Sequence, residues 1–172
     1  TFMASNRAWV EGYTAALQDL GIEVLLHPCH CDPVALFRKR AAEFDAIVLS
    51  RHYVAREFIG LARLYAPRAR LIFDTVDLHY LRETRAAEAD FLTLHVAKTP
   101  DTMGMIGVES LKKVKPGIRI INVARGGIVD EQALADAVLA GRVAGAAIDV
   151  FAEEPTTESP LFGVPGVVVT PH

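Results

Sequence analysis

A chain of 172 residues that is 51% hydrophobic, with 18 basic side chains against 21 acidic ones, suits one α/β domain with a real core and excludes a disordered polypeptide. Split at Glu88, the charges fall 11 basic to 11 acidic before and 7 to 10 after, so no basic stripe recommends a nucleic-acid partner. Apolar runs such as Ala46–Leu49 and Val167–Val169 are far short of the roughly 18 residues of a membrane span, and nothing at the N-terminus reads as a signal peptide. Cys29 and Cys31 cannot build a disulfide framework, which suits a reducing cytoplasm. A first residue Thr1 with Met3 just behind it suggests a fragment or an artificial start.

Short β-branched runs alternate with amphipathic stretches throughout, the pattern of β-α units on a parallel sheet. The spacing of Trp9, Tyr13, Ala16, Leu17 and Leu20 predicts a helix from Asn6 to Leu20, capped by Ser5 or Asn6 and stopped by Gly21. Ile22–Leu26 reads as a strand. Asp32-Pro33 opens a second helix, with Val34, Phe37, Ala41 and Phe44 as its buried face. A buried strand Ala46–Ser50, a helix Val54–Tyr65 ended by Pro67, a strand Leu71–Asp74 and a helix from about Leu78 to Glu88 follow. Further strands are expected at Phe91–His95, Ile118–Val123, Ala144–Asp149 and Val167–Thr170, with helices near Val108–Val114 and Glu131–Ala140, the latter capped by Asp130 and ended by Gly141. With no repeat and no linker, the expected fold is a single Rossmann-like three-layer α/β domain over residues 1–172, with a mostly parallel sheet of about eight strands.

The chemistry is concentrated in the second half. In N-V-A-R-G-G-I-V-D-E-Q-A-L, Asn122 to Leu134, a strand ends, a glycine pair turns sharply and an Asp caps the next helix. Arg125 projects a planar cation suited to a carboxylate, and a surface arginine in an ion pair is the plainer alternative. A-A-I-D-V-F-A-E-E-P, Ala146 to Pro155, and V-V-V-T-P-H, Val167 to His172, follow in order, with L-H-V-A-K-T-P-D-T, Leu94–Thr102, ahead of them. Together these motifs resemble the later half of the cofactor domain of the NAD-dependent D-2-hydroxyacid dehydrogenases, nearest to the phosphoglycerate type. The resemblance implies that Arg125 holds the substrate carboxylate, that His172 exchanges the proton of the substrate hydroxyl, and that Glu154 hydrogen-bonds its other ring nitrogen, with Glu153 the alternative carboxylate. It also implies cofactor contacts at His95, Val96, Ala97, Val123, Ala124 and Asp149. Ala97 departs from the family's usual proline. Solvated terminal, turn and cap residues are the plain reading of each residue alone.

The first half departs from that family. No G-x-G triplet occurs anywhere, although a glycine turn and an acidic residue about 20 positions on are what pyrophosphate and ribose require. Instead L-Y-A-P-R-A-R-L-I-F-D-T-V-D-L-H-Y-L-R-E-T-R-A-A-E, Leu64–Glu88, and D-A-I-V-L-S-R, Asp45–Arg51, resemble the N-terminal domain of bacterial GT-B-type glycosyltransferases. The expectation is therefore a chimera of residues 1–88 and 89–172 joined near Ala86–Asp90, without bound NAD and without dehydrogenase activity. A working or NAD-binding oxidoreductase and a sugar-nucleotide-binding module are the alternatives. His27 to Cys31, H-P-C-H-C, lacks C-x₂-C spacing and reads as a solvated loop, so no metal is expected. Foreign half-sheets leave edges or apolar faces that favour a homodimer.

Overall fold

A computed structural model of the chain describes residues 1–3, 9–26, 32–75 and 88–172. Among these residues six strands form one parallel sheet in strictly sequential order: β1 (Ala46–Ser50), β2 (Arg70–Thr75), β3 (Phe91–Leu94), β4 (Ile118–Asn122), β5 (Val143–Ile148) and β6 (Val167–Val169). The helices are α1 (Tyr13–Asp19), α2 (Pro33–Arg40), α3 (His52–Tyr65), α4 (Val108–Leu111) and α5 (Glu131–Leu139). The architecture is Rossmann-like, with six strands where about eight were expected. The shortfall includes Ile22–Leu26, where only Val24 bridges, to Phe2.

The register explains the core. Leu49, Phe73, Leu92, Ile120 and Ala146 are aligned from strand to strand and all are buried. Each large apolar side chain removed from water in this way contributes about 1.5–3 kcal/mol. A sequential parallel order with right-handed crossovers carries the connecting helices to one face of the sheet, and α3 and α5 supply buried faces there through Ala55, Phe58, Ala62, Leu134 and Val138. On the other face Val48 is 60% exposed and Val168 63% exposed, and Arg119 places its guanidinium 5.6 Å from the Phe91 ring centroid. β1 is an edge strand with only Leu49 buried rather than a buried strand.

Local signals met mixed outcomes. Asp32 caps α2 through Oδ1, which accepts from Val34 N–H at 2.9 Å, with Pro33 at the first position. Asp130 caps α5 by accepting from Ala133 N–H at 3.0 Å. The first helix is shorter than its periodicity suggested: Gly12 in the left-handed region precedes Tyr13, and Trp9, Tyr13 and Leu20 are exposed rather than core-facing. Phe37 and Ala41 are buried as expected, whereas Val34 is exposed. The helix expected at Leu78 to Glu88 lies largely outside the described residues, as do His27 to Cys31 and the proposed caps Ser5 and Asn6.

Where the two expected segments meet, a carboxylate does the joining. Asp90 Oδ2 accepts from Leu71 N–H at 2.8 Å and from Arg63 Nη2 at 3.2 Å, and Oδ1 pairs with Lys115. Burial alone would raise its pKa, but the Leu71 amide, Lys115 and Arg63 outweigh burial and hold it below the ordinary aspartate value. Because the folded value is depressed, this stabilisation is present above the unfolded pKa and is lost as pH falls through the folded one. Asp90→Ala should cost about 2 kcal/mol in urea unfolding at neutral pH. The variant should also show a weaker loss of stability than the parent as pH falls below the ordinary aspartate range.

Candidate functional site

Parallel strands in matched register end on one edge of the sheet, and in open α/β sheets ligands bind outside those carboxyl ends. The residues singled out from sequence all emerge there. His95, Val96 and Ala97 follow β3, Val123 to Arg125 follow β4, Asp149 follows β5, and His172 lies just past β6. One edge therefore gathers residues from four neighbouring strands, and its β6 end has a pocket lined by Phe151, Glu154, Phe162, Val169 and His172.

At its β6 end, His172 Nδ1 meets Glu154 Oε2 at 2.8 Å. Glu154 Oε1 accepts from Phe151 N–H at 2.8 Å, so its carboxylate is held at both oxygens. The hydrogen bond from Glu154, then its charge and that of Asp149, raise the His172 pKa against the opposing charge of Arg125. Reciprocally, the Phe151 amide and then His172 lower the Glu154 pKa. Both side chains are exposed to a substantial degree, at 57% and 35%, which leaves the pair open to a ligand. It is Glu154, and not Glu153, that meets His172.

Arg125 reaches solvent and donates through Nη1 to Ala124 O at 2.6 Å. Its turn is held by Asn122, buried to 1% exposure, whose Nδ2 donates to Arg125 O at 3.1 Å and whose Oδ1 accepts from Ala124 N–H at 3.2 Å. Gly126 is required by contact: a Cβ there would lie 1.6 Å from Phe151 O, backbone against which nothing can yield. The Arg125 turn and the loop of Glu154 are thereby packed together. Asp149 accepts from the Thr170 hydroxyl, tying β5 to the strand end that carries His172. Val96 is buried at 5% exposure and can offer a ligand only its backbone, while Ala97 O accepts from Thr102 Oγ1 at 2.8 Å. Val123 is exposed at 51%.

A second polar group at the same edge was not picked out from the sequence. Ser50 Oγ donates to Asp74 Oδ2 at 2.8 Å, Asp74 Oδ1 lies 3.5 Å from His95 Nε2, and that nitrogen is 2.9 Å from Thr93 Oγ1. Asp74 Oδ1 is buried without a hydrogen bond, an acceptor that a hydroxyl donor would satisfy. Its signal in the sequence was an acid at the carboxyl end of a strand. Among the described residues no group of His, Cys, Asp and Glu could hold a metal ion, and no helix is long and apolar enough to cross a membrane.

Glu154→Gln should bring the titration midpoint of His172, followed by NMR of its imidazole protons, down toward that of a free histidine. An unchanged midpoint would mean that the 2.8 Å contact does not persist in solution.

Residues 59–172 match the family described as D-isomer specific 2-hydroxyacid dehydrogenase, NAD binding domain. That span includes Leu64–Glu88. The D-3-phosphoglycerate dehydrogenase of Mycobacterium leprae is 60% identical over 86 residues, 50% of this chain and 16% of that protein. That of Bacillus subtilis is 41% identical over 133 residues, 66% of this chain and 25% of that protein. A solved D-isomer specific 2-hydroxyacid dehydrogenase from Xanthobacter autotrophicus Py2, in complex with NADPH and MES, superposes with a TM-score of 0.55 at 28% identity, covering 92% of this chain and 50% of that one. The chain thus spans 16% of the length of the Mycobacterium relative and half of the solved one.

Proposed function

This chain belongs to the D-isomer specific 2-hydroxyacid dehydrogenase NAD-binding family, and from that premise we propose that it carries the carboxylate-holding and proton-passing half of a 2-hydroxyacid site. The observation that supports this most directly is the Glu154–His172 contact at 2.8 Å. With Nδ1 engaged by the carboxylate, Nε2 is left to meet a substrate oxygen. In the oxidising direction that nitrogen takes the hydroxyl proton, and in the reducing direction the imidazolium returns it to the carbonyl oxygen. Arg125 is the cation for the substrate carboxylate.

The hydride belongs to the family's nicotinamide dinucleotide, and these residues fit that group unevenly. The strand ends at Val123–Ala124 and Asp149 suit its nicotinamide end, and the unsatisfied Asp74 Oδ1 suits a ribose hydroxyl. The turn from β1 into α3 does not suit a pyrophosphate. It reads Ser50-Arg51-His52, with side chains where backbone must approach phosphate, and Arg51 holds φ 72, a conformation glycine adopts without cost. The chain by itself is therefore proposed to bind NAD weakly and to turn over no substrate.

The test is a fluorescence titration with NADH beside an assay on D-3-phosphoglycerate and simpler D-2-hydroxyacids. Binding weaker than micromolar and no NADH production are expected. Steady turnover that vanishes in both Arg125→Ala and His172→Ala would overturn the proposed inactivity and leave the roles of those residues intact.

The finer reading of residues 1–88 as glycosyltransferase-like rests on Leu64–Glu88 and Asp45–Arg51, and of its most distinctive part, T-V-D-L-H at Thr75–His79, residues 76–79 fall outside the described ones. The family match reaching back to residue 59 counts against it. A homodimer is proposed on a separate observation: Val48 and Val168, on the two edge strands, are 60% and 63% exposed. Light scattering at high concentration should give twice the 18.7 kDa chain mass, and a monomeric value would dismiss it.

A further inference from the structure

We propose that Glu131 is a positioning residue for the Glu154–His172 pair, its carboxylate fastening both ends of the loop that carries Glu154. This rests on the reading of that pair as the proton-transfer group. Glu131 stands at the first position of α5, and neither its sequence motif nor the proposed chemistry gives it a task. Its Oε1 accepts from Ala152 N–H at 2.8 Å, and its Oε2 accepts from the Ser159 hydroxyl at 2.5 Å.

Between those anchors the chain has neither helix nor strand, and Ala152, Glu153, Glu154 and Pro155 are all exposed. Apolar packing therefore does not locate this stretch, and polar tethers must. On the opposite side the Phe151 carbonyl abuts Gly126 too closely to admit a Cβ. The segment is thus wedged between the start of α5 and the Arg125 turn. Successive amides go to different carboxylates: Phe151 N–H to Glu154 and Ala152 N–H to Glu131. Glu154 folds back onto a loop whose place Glu131 sets.

The charged groups that face His172 are Glu154, Asp149 and Arg125, and Lys98 faces Glu154. Glu131 is not among them, so its influence runs through geometry rather than through its field. That distinction decides the test. In Glu131→Ala the Ala152 amide and the Ser159 hydroxyl lose their acceptor, and Glu154 is no longer held 2.8 Å from the imidazole. Glu131→Gln keeps the shape: its amide oxygen can still accept from Ala152, and its amide nitrogen can donate to the Ser159 hydroxyl oxygen.

The readout is the imidazole titration of His172 in the full chain, followed by NMR, assigned by the signal lost in His172→Gln, with fold checked by amide spectra. Glu131→Ala should lower the midpoint by ~0.5 pH unit or more, about threefold in proton affinity. Ser159→Ala should lower it less, and Glu131→Gln should leave it near the parent value. An unchanged midpoint in Glu131→Ala, or an equal fall in Glu131→Gln, would overturn the proposal. If Glu131→Ala does not fold, Ser159→Ala decides: a fall there with Glu131→Gln unmoved supports positioning, and no fall overturns it. No turnover is needed for this measurement. The shifts report how Glu154 is placed against His172 whether or not the chain reduces NAD, so the positioning role stands or falls separately from the reading of that pair as a proton-transfer group.

Discussion

The Asp90 carboxylate is the contact on which the geometry of the sheet turns. It accepts from a β2 amide, from α3 through Arg63 and from Lys115 ahead of β4. Its own backbone continues the ladder, Asp90 N–H donating to Leu71 O at 2.9 Å and Asp90 O accepting from Arg119 N–H at 2.9 Å. A parallel sheet slipped by one residue would turn every side chain to the wrong face. A partly buried acid immediately before β3, satisfied from three directions, pins that register where the two halves of the chain adjoin. Everything after β3 inherits its placement from there.

Register is what makes a site out of scattered motifs. His95, Arg125, Asp149 and His172 lie far apart in the chain, and they share an edge because each follows a strand paired with its neighbour. Fixing them side by side then falls to short contacts among loops. Asn122 shapes the Arg125 turn, Gly126 admits the Phe151 carbonyl, Thr170 anchors to Asp149, and Glu131 fastens the loop of Glu154. Apart from the close packing at Gly126 these are single hydrogen bonds, where the net worth of each is only about 0.5–1.5 kcal/mol. Their value is in aim rather than in stability.

What could be read from sequence follows the same division. Strands β1 to β6 and the caps Asp32 and Asp130 were legible because alternation, proline and helix-capping chemistry are local signals. The Glu154–His172 contact was legible only through resemblance, since residues 18 apart carry no local mark of meeting. The helix at Asn6 to Leu20 was overread because its periodicity ignored Gly12, whose left-handed conformation delays the start to Tyr13. The sequence of β1 reads as a buried strand because an apolar run looks the same on an edge as in the centre of a sheet; order, not composition, leaves Val48 exposed. Asp74 went unnoticed as a polar centre because its partners Ser50 and His95 belong to other strands.

A 2-hydroxyacid dehydrogenase must meet two requirements together. One is proton transfer beside a cation for the substrate, an effect of about 10²–10⁴-fold for the acid–base part. Holding two reactants in line is the larger contribution, worth about 7–11 kcal/mol of barrier, and it depends on a rigid seat for the cofactor. In this chain the β4 to β6 ends, where Arg125, Glu154 and His172 lie, are closely tied by Asn122, Gly126 and Glu131. The β1 to α3 turn carries Arg51 at φ 72. The two regions depend on different strands, and a parallel sheet lets one end of its edge change without disturbing the other.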